Sequence, residues 1–404
     1  MQCTLSPRPS APMRYIRFLK TPRVSVRKNS SKRDIDCLIT ITSDLGDSFL
    51  PCHVQLSAEL LACNLDEEVV VWRTVQWIGG MRSLAITLPL PRSCASSPLR
   101  LRVGVDPKAT YDEYKSLSDS ASRGVVSAWS AKFGVLTDAV KLAERRFMLP
   151  NGPKVSIWEE TGESIARHLW YISVSNTLFS RVTKHHRDAG ISLSCHLGDL
   201  LDKGSELYMA LQPSICSASL RILELGTGCG MVGISLAQLR QGARVLLTDL
   251  SEARELVEKN MGQARTAEGS SLRFHDWDWD EEPPLSLQSS SSSLDLVLAA
   301  DCTYNADSRY GRFLRLHILM HLSFLIYLSP ALVKTISRLA EDSPGLAVAV
   351  AMKMRHPSEE VFFDLMATAG FSKSATITYP LPGDASIGEE TVYLHVYRRS
   401  SPHQ

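Results

Sequence analysis

The sequence predicts an α/β protein whose main domain is a seven-stranded, mostly parallel sheet with an antiparallel last strand, preceded by a smaller β-rich module. In the C-terminal part, short apolar segments alternate with amphipathic ones, as parallel strands alternate with crossover helices. In the first hundred residues, β-branched segments are separated by proline, serine and glycine, which is typical of a β-sandwich-like module. We therefore divide the chain into a β-rich module at 1–106, a partly helical connector at 107–150 and an α/β domain at 151–400.

Seven apolar segments are the predicted strands of the α/β domain, at residues 220–225, 243–249, 271–275, 294–301, 345–354, 376–379 and 391–397. Helices are predicted between the first three of them, at 231–241 and 252–265. The last two strands would close the sheet as an antiparallel pair. The strand-like segments of the N-terminal module are residues 15–19, 37–42, 69–75, 84–88 and 99–105. At the end of the connector a helical pattern covers residues 135–146.

Composition argues against several classes of function. Lysine plus arginine number 44 and aspartate plus glutamate 43, so no bulk charge favours nucleic acid or a membrane surface. Nine cysteines without a CxxC pair argue against a disulfide framework and a structural zinc site, and favour a reducing compartment, the cytoplasm or the nucleus. The longest apolar stretch, 313–328, is interrupted by arginine and histidine and is too short for a membrane span. No cluster of ligand residues suggests a metal.

A glycine-rich turn follows the first strand of the α/β domain. After Glu224 and Leu225 come Gly226, Gly228 and Gly230, and a helix then opens at 231. The missing side chains leave room for a ligand, which would meet a helix N-terminus at the switch point of an open sheet. Asp249 ends the next strand, where a carboxylate can accept both hydroxyls of a ribose. The pair of features predicts a nucleoside-containing cofactor.

Three interpretations of this turn are open. Residues 228–233 also satisfy G-x-G-x-x-G, and Asp249 lies near the spacing expected for a nicotinamide dinucleotide. Alternatively, the turn serves only to reverse the chain. The third interpretation is a site for S-adenosylmethionine. Glu224 favours it, because an acid at the strand end repels a pyrophosphate but suits the cationic ammonium and sulfonium of S-adenosylmethionine. We therefore predict S-adenosylmethionine as the cofactor.

Asp276 and Trp277 follow the third strand. Here an aspartate can accept a hydrogen bond from an adenine amino group while an indole covers the face of the ring. The alternative is a tryptophan that only caps the sheet edge, and for Trp279 the two interpretations are evenly balanced. We assign Asp276 and Trp277 to the adenine.

These motifs resemble the seven-strand protein methyltransferase family often called methyltransferase family 16, many of whose members modify lysine. Its pattern of E-x-G-x-G-x-G, an acid, a tryptophan and D-x-x-Y is matched by residues 224–230, Asp249, Trp277 and residues 301–304. The resemblance spans roughly 158–398, whereas the N-terminal module matches only the looser pattern of fungal relatives. It implies a Rossmann-like methyltransferase fold, S-adenosylmethionine as donor and a protein lysine as acceptor.

The resemblance also implies site residues on the acceptor side. Asp301 would hold the incoming ammonium, and Tyr304 would cover it or hydrogen-bond to it while the proton escapes to water. Trp170 and Ala300 would line the cofactor pocket. The alternatives are a helix N-cap for Asp301 and core packing for Tyr304.

Two other functions stay open: methylation of a small nicotinamide-like amine, and a catalytically silent binding module. The fourth strand is not followed by Asn-Pro-Pro-Tyr, and basic stripes with interleaved aromatics are absent, so nucleic acid is disfavoured as a substrate. We expect a monomer with a protein substrate and without a membrane partner.

The family pattern is interrupted twice. Residues 171–187 separate Trp170 from an amphipathic run at 188–201, and joining the two would restore one continuous helix. Residues 309–328 separate the D-x-x-Y motif from the natural helix start at 329. Our hypothesis is that both stretches are retained introns, and the alternative is a pair of genuine insertions.

Overall fold

The computed structural model describes residues 13–26, 32–63, 67–118, 122–150, 153–162, 188–284, 287, 293–303, 328–354, 357–382 and 390–400. The chain forms two compact units, Met1–Arg187 with Pro380–Glu390, and Asp188–Tyr379 with Thr391–Gln404. Within the described ranges, no helix is both long enough and apolar enough to cross a membrane.

The first unit consists of strands. They are β1 (Arg14–Val26), β2 (Arg33–Thr42), β3 (Val54–Ala62), β4 (Glu68–Trp77), β5 (Leu84–Pro89), β6 (Leu99–Gly104), β7 (Asp112–Glu113), β8 (Val125–Val126), β9 (Ala128–Ser130), β10 (Leu142–Met148) and β11 (Lys154–Glu160). Short 3₁₀ turns lie at Arg92–Cys94 and Lys115–Ser118. One sheet has the order β5-β2-β1-β8, and the other has β11-β10-β9-β6-β3-β4 with β7 beside β10. The β-rich character predicted for the N-terminal module agrees with this architecture.

The structure corrects two expectations at the end of this unit. The segment predicted as a partly helical connector contains β7 to β10, and the helical pattern at 135–146 is wrong because β10 pairs antiparallel with β11 along its whole length. Strand β11 also lies beyond the predicted boundary at 151 and belongs to the first unit. The physical reason is that the charged residues of β10 are buried as ion pairs. Arg145 contacts Glu159 and Glu144 contacts Arg100, both at 2.5 Å.

The second unit contains the predicted seven-stranded sheet. Its strands are β12 (Arg221–Leu225), β13 (Arg244–Asp249), β14 (Ser271–Asp276), β15 (Leu296–Ala300), β16 (Ala347–Met352), β17 (Phe371–Pro380) and β18 (Thr391–Arg399). Their order is β14-β13-β12-β15-β16-β18-β17, in which β18 runs antiparallel to β16. The mostly parallel, Rossmann-like sheet is therefore confirmed.

Six helices flank this sheet in the described part of the unit: α1 (Asp188–His196), α2 (Glu206–Leu211), α3 (Met231–Leu239), α4 (Arg254–Gln263), α5 (Leu328–Glu341) and α6 (Val361–Thr368). Strands β12, β15 and β16 form the centre of the core, because their apolar side chains are buried on both faces as central parallel strands require. The chain passes from β12 to β13 on one side, whereas β15 lies on the other side of β12. The carboxyl ends of β12 and β15 are thus a switch point where ligands bind in open α/β sheets.

The two interruptions of the family pattern fall largely outside the described residues. Residues 171–187 lie wholly outside them, and of 309–328 only Leu328 is described, as the first residue of α5. The helix start predicted at 329 agrees with α5 within one residue. Whether the two stretches are introns or insertions stays a hypothesis.

Candidate active site

The glycine turn between β12 and α3 adopts a conformation that side chains oppose. Gly226, Gly228 and Gly230 have φ angles of +64°, +58° and +85°, in the left-handed region that favours glycine. A Cβ on Gly226 would lie 2.7 Å from Sγ of Cys302, and one on Gly230 would lie 3.1 Å from Cδ1 of Ile234. The three glycines are therefore required by backbone conformation and, at Gly226 and Gly230, by close neighbours.

Hydrogen bonds hold this turn in place. The Gly228 N–H donates to Oδ2 of Asp249 at 2.7 Å, and the Thr227 N–H donates to the Thr248 carbonyl at 3.0 Å. The buried amide of Asn260, in α4, donates to the Cys229 carbonyl at 2.8 Å. Asn260 was missed by sequence reasoning, although a polar residue on the apolar side of a predicted helix could have indicated it. The turn is pre-organised by two neighbouring elements, β13 and α4.

Asp249 ends β13 beside this turn, as the sequence predicts. Besides the contact with Gly228, its Oδ1 accepts from the Leu250 N–H at 2.8 Å. Burial raises the pKa of the Asp249 carboxyl, and the two backbone N–H groups act in the opposite direction. Each carboxylate oxygen has a second lone pair, so the group retains acceptor capacity for ribose hydroxyls. The ribose assignment stays a prediction that this geometry permits.

Glu224 lies behind the turn. Its side chain is almost completely buried, and Oε2 accepts from the Gly233 N–H of α3 at 2.8 Å. Burial raises the pKa of Glu224 to about 7. A Cβ on Gly233 would lie 2.6 Å from Oε2, so this glycine lets the helix approach the carboxyl group. Glu224 thus links β12 to α3, and its contact with the cofactor's ammonium stays a prediction.

Asp276 lies next to Asp249, because the two residues are register partners at the ends of β14 and β13. Its Oδ2 accepts from Nε and Nη2 of Arg254 at 3.2 and 2.6 Å. Its other oxygen, Oδ1, is buried and has no hydrogen-bond partner among the residues that the structure describes. A buried acceptor without a donor is costly, so Oδ1 is suited to a donor that a ligand brings.

The two tryptophans after β14 differ in their surroundings. Trp277 is 3% exposed and belongs to the hydrophobic core cluster of the sheet and α5, and its contact with adenine stays a prediction. Trp279 is only partly buried, and its Cζ2 lies 3.3 Å from where a Cβ of Gly226 would be. Trp279 is thus an indole beside the glycine turn.

Ala300 and Asp301 occupy the end of β15. Asp301 has a φ of +55°, unusual for a residue other than glycine, and its N–H donates to the Ala351 carbonyl at 2.8 Å. Its Oδ2 accepts from the Ala189 N–H in the first turn of α1 at 3.2 Å. Asp301 therefore caps a helix, as the alternative interpretation proposed, but the helix is α1. Its part in catalysis stays a prediction.

Two predicted site residues, Trp170 and Tyr304, lie outside the described residues. One feature of the acceptor side was not predicted: Nζ of Lys353, just after β16, lies 2.6 Å from Oδ2 of Asp188 in a buried ion pair. The partners are 165 positions apart in sequence, so no local pattern could have revealed them. Where the chain is described, no group of three or more histidine, cysteine, aspartate or glutamate residues could hold a metal ion.

Comparison with known proteins supports the resemblance seen in the motifs. The family model described as lysine methyltransferase matches residues 150–315, which confirms that resemblance. The UPF0665 family protein C23C4.06c of Schizosaccharomyces pombe is 26% identical over 303 residues, covering 73% of this chain and 81% of that protein.

Solved structures are similar over part of the chain. The N-methyltransferase NodS from Bradyrhizobium japonicum WM9, in complex with S-adenosyl-L-homocysteine, is 15% identical, with a TM-score of 0.30 over 53% of this chain and all of NodS (100%). TrmN from Thermus thermophilus is 17% identical, with a TM-score of 0.29 over 48% of each chain. The chain thus spans about half the length of TrmN.

Proposed function

We propose that this chain, a methyltransferase of the S-adenosylmethionine-dependent class, transfers the methyl group to the ε-amino group of a lysine in a protein substrate. The observation that carries the proposal is that the lysine methyltransferase family model covers the glycine turn, Asp249 and Asp301, which the parallel sheet places at one edge. The class of enzyme defines the donor, whereas the lysine acceptor is the proposed part.

The residues at this edge fit the cofactor. The Asp249 carboxylate lies at a strand end beside the glycine turn, and Oδ1 of Asp276 has no donor among the described residues. S-adenosylmethionine, when bound, supplies a methyl group already activated by its sulfonium. The chain's own residues therefore have to orient two reactants rather than provide a strong acid or base.

On the acceptor side, Asp301 supplies the negative charge that attracts the ammonium group of the incoming lysine. A free lysine ammonium has a pKa of about 10.4, so it arrives protonated and is attracted to a carboxylate. The Ala189 N–H and the positive end of α1 hold this carboxylate. Asp301 would hold the lysine nitrogen in place while its proton passes to water, so that the nitrogen lone pair would be free to accept the methyl group.

The test uses the full chain with methyl-labelled S-adenosylmethionine and a cell lysate. We expect label in protein, released as methyl-lysine on hydrolysis, and no label with Asp249→Ala, which loses the contact to Gly228. Label only in small molecules would instead indicate a small-amine methyltransferase. Cofactor binding by calorimetry without label in either fraction would indicate a silent binding module.

A further inference from the structure

A guanidinium at the start of α4 contacts the carboxylate that ends β14. Arg254 directs Nε and Nη2 to the same oxygen of Asp276, Oδ2, at 3.2 and 2.6 Å. Its remaining terminal nitrogen, Nη1, lies 2.9 Å from Oε1 of Glu258, one turn further along α4. The guanidinium also lies over the ring of Phe274, 5.3 Å from its centroid, two residues before Asp276 on β14. These contacts determine where the guanidinium lies.

The same contacts leave the carboxylate of Asp276 asymmetric. Oδ2 receives both N–H groups, whereas Oδ1 is buried and, in the described part of the chain, has no hydrogen-bond partner. A carboxylate held by one oxygen cannot exchange its two oxygens by rotation without breaking charge-assisted hydrogen bonds. Because Asp276 is the register partner of Asp249, this oriented acceptor lies beside the strand end proposed for the ribose.

We infer that Arg254 is a positioning residue that fixes the Asp276 carboxylate so that Oδ1 selects an aminopurine over an oxopurine. The inference rests on the proposed function, because it assumes that the adenosyl donor occupies this edge. An adenine amino group brings the donor that Oδ1 lacks. An oxopurine, as in an inosyl analogue, brings a carbonyl oxygen to the same place, and two acceptors then face each other. Without Arg254, the carboxylate can rotate away from an opposing carbonyl oxygen, so this discrimination is weaker.

The test measures the binding of two probes to the full chain by calorimetry: S-adenosylhomocysteine and S-inosylhomocysteine. We expect the unaltered chain to prefer the adenosyl compound by at least about tenfold, the ratio that one charge-assisted hydrogen bond supplies. Arg254→Gln should reduce that ratio to within about threefold, and Arg254→Lys should restore part of it because the charge returns without the fork of two N–H groups.

Glu258→Gln is the matched control. It removes the other partner of the guanidinium but leaves the contact with Asp276, so the ratio should stay that of the unaltered chain. The Arg254 side chain is 43% exposed, so thermal unfolding should show that all variants fold. A purely structural role would change the unfolding temperature and leave the ratio unchanged.

The outcomes separate this inference from the proposed function. A ratio in Arg254→Gln equal to that of the unaltered chain would overturn the role of Arg254, as would an unaltered chain that binds both compounds equally. If neither compound binds, the inference and the proposed function both fail. If the expected ratios are found but no methyl reaches lysine, the role of Arg254 stands and the lysine proposal fails.

Discussion

Glu224 is a carboxylic acid in the interior, and its burial determines the pH range in which it ionises. The side chain is 2% exposed, and burial raises its pKa to about 7 from the usual 4.5. The Asp249 charge acts in the same direction, whereas the Gly233 N–H opposes it. A glutamate with such a pKa is partly protonated near neutrality, so its charge depends on whether a cationic ligand is present.

The pH dependence of stability follows from this shift. Below pH 4.5 Glu224 is protonated in both folded and unfolded chains. Between pH 4.5 and about 7 only the unfolded chain ionises, so the free energy of unfolding falls, by an amount on the order of 3 kcal/mol. Above about pH 7 Glu224 is ionised in both the folded and the unfolded chain, and the loss of unfolding free energy is constant. Glu224→Gln, whose amide oxygen still accepts from Gly233, should remove this decline.

Denaturant unfolding of the chain and of Glu224→Gln from pH 4.5 to 8 checks this expectation. The difference between the two isolates Glu224, because the raised pKa of Asp249 affects both proteins alike. A constant difference across the range would contradict the raised pKa of Glu224.

Asp301 combines a strained backbone with a charge. Its φ of +55° is tolerated by asparagine, which also keeps an oxygen for the Ala189 N–H but has no charge. We expect Asp301→Asn to bind S-adenosylhomocysteine normally and to lose roughly 100-fold in methyl transfer, because the lysine ammonium is no longer held in place. Asp301→Gly, which relieves the strain and also removes the side chain, is the matched control and should show the same loss. Transfer at the original rate in Asp301→Asn would leave Asp301 only its capping role.

At the scale of elements, the start of α1 is held by charge. Lys353 pairs with Asp188, and the next residue, Ala189, donates its N–H to Asp301. Both partners of the pair are buried, and the loss of one leaves an uncompensated charge in the interior. This ion pair therefore connects the end of β16 to the helix that carries the acceptor-side contact.

Removing one partner of the Lys353–Asp188 ion pair should lower the free energy of unfolding more than removing both charges. We expect Lys353→Met to lower the free energy of unfolding by about 3–5 kcal/mol, and the double change Lys353→Met with Asp188→Asn to recover most of that loss. Lys334→Met, on the exposed face of α5, should stay within about 0.5 kcal/mol. Denaturant unfolding measures all three. A double variant no more stable than Lys353→Met would show that the pair is not the cause.

Local patterns account for the elements that the sequence predicts correctly. The glycine turn, the acid after β13 and the alternation of strands and helices each depend on residues close in sequence, so their structure could be predicted. The helix predicted at 135–146 was wrong because the buried charges of β10 are neutralised by partners on β6 and β11, which no local pattern reveals. For Trp277 the structure adds a place in the apolar core that motif position alone did not indicate, and its contact with adenine stays a prediction.

At the scale of the whole molecule, the chain consists of two units with different interiors. The first unit buries arginine–glutamate pairs within its sheets, such as Arg102 with Glu59 and Arg145 with Glu159. The core of the second unit is an apolar cluster around the central strands. Of the candidate cofactor residues, all those that the structure describes belong to the second unit. A ligand at the glycine turn therefore acts directly on the stability of that unit.

Scanning calorimetry of the full chain tests this division. Because each unit has its own core, we expect two transitions, of which S-adenosylhomocysteine raises only one. At one hundred times its Kd, a ligand that binds only the folded unit adds about 2.7 kcal/mol, which corresponds to a shift of roughly 5–10 °C for a unit of this size. Glu224→Gln should alter the transition that the ligand raises, whereas Glu159→Gln, which weakens the buried pair with Arg145, should lower the other. A single transition that the ligand moves as a whole would mean that the two units unfold together.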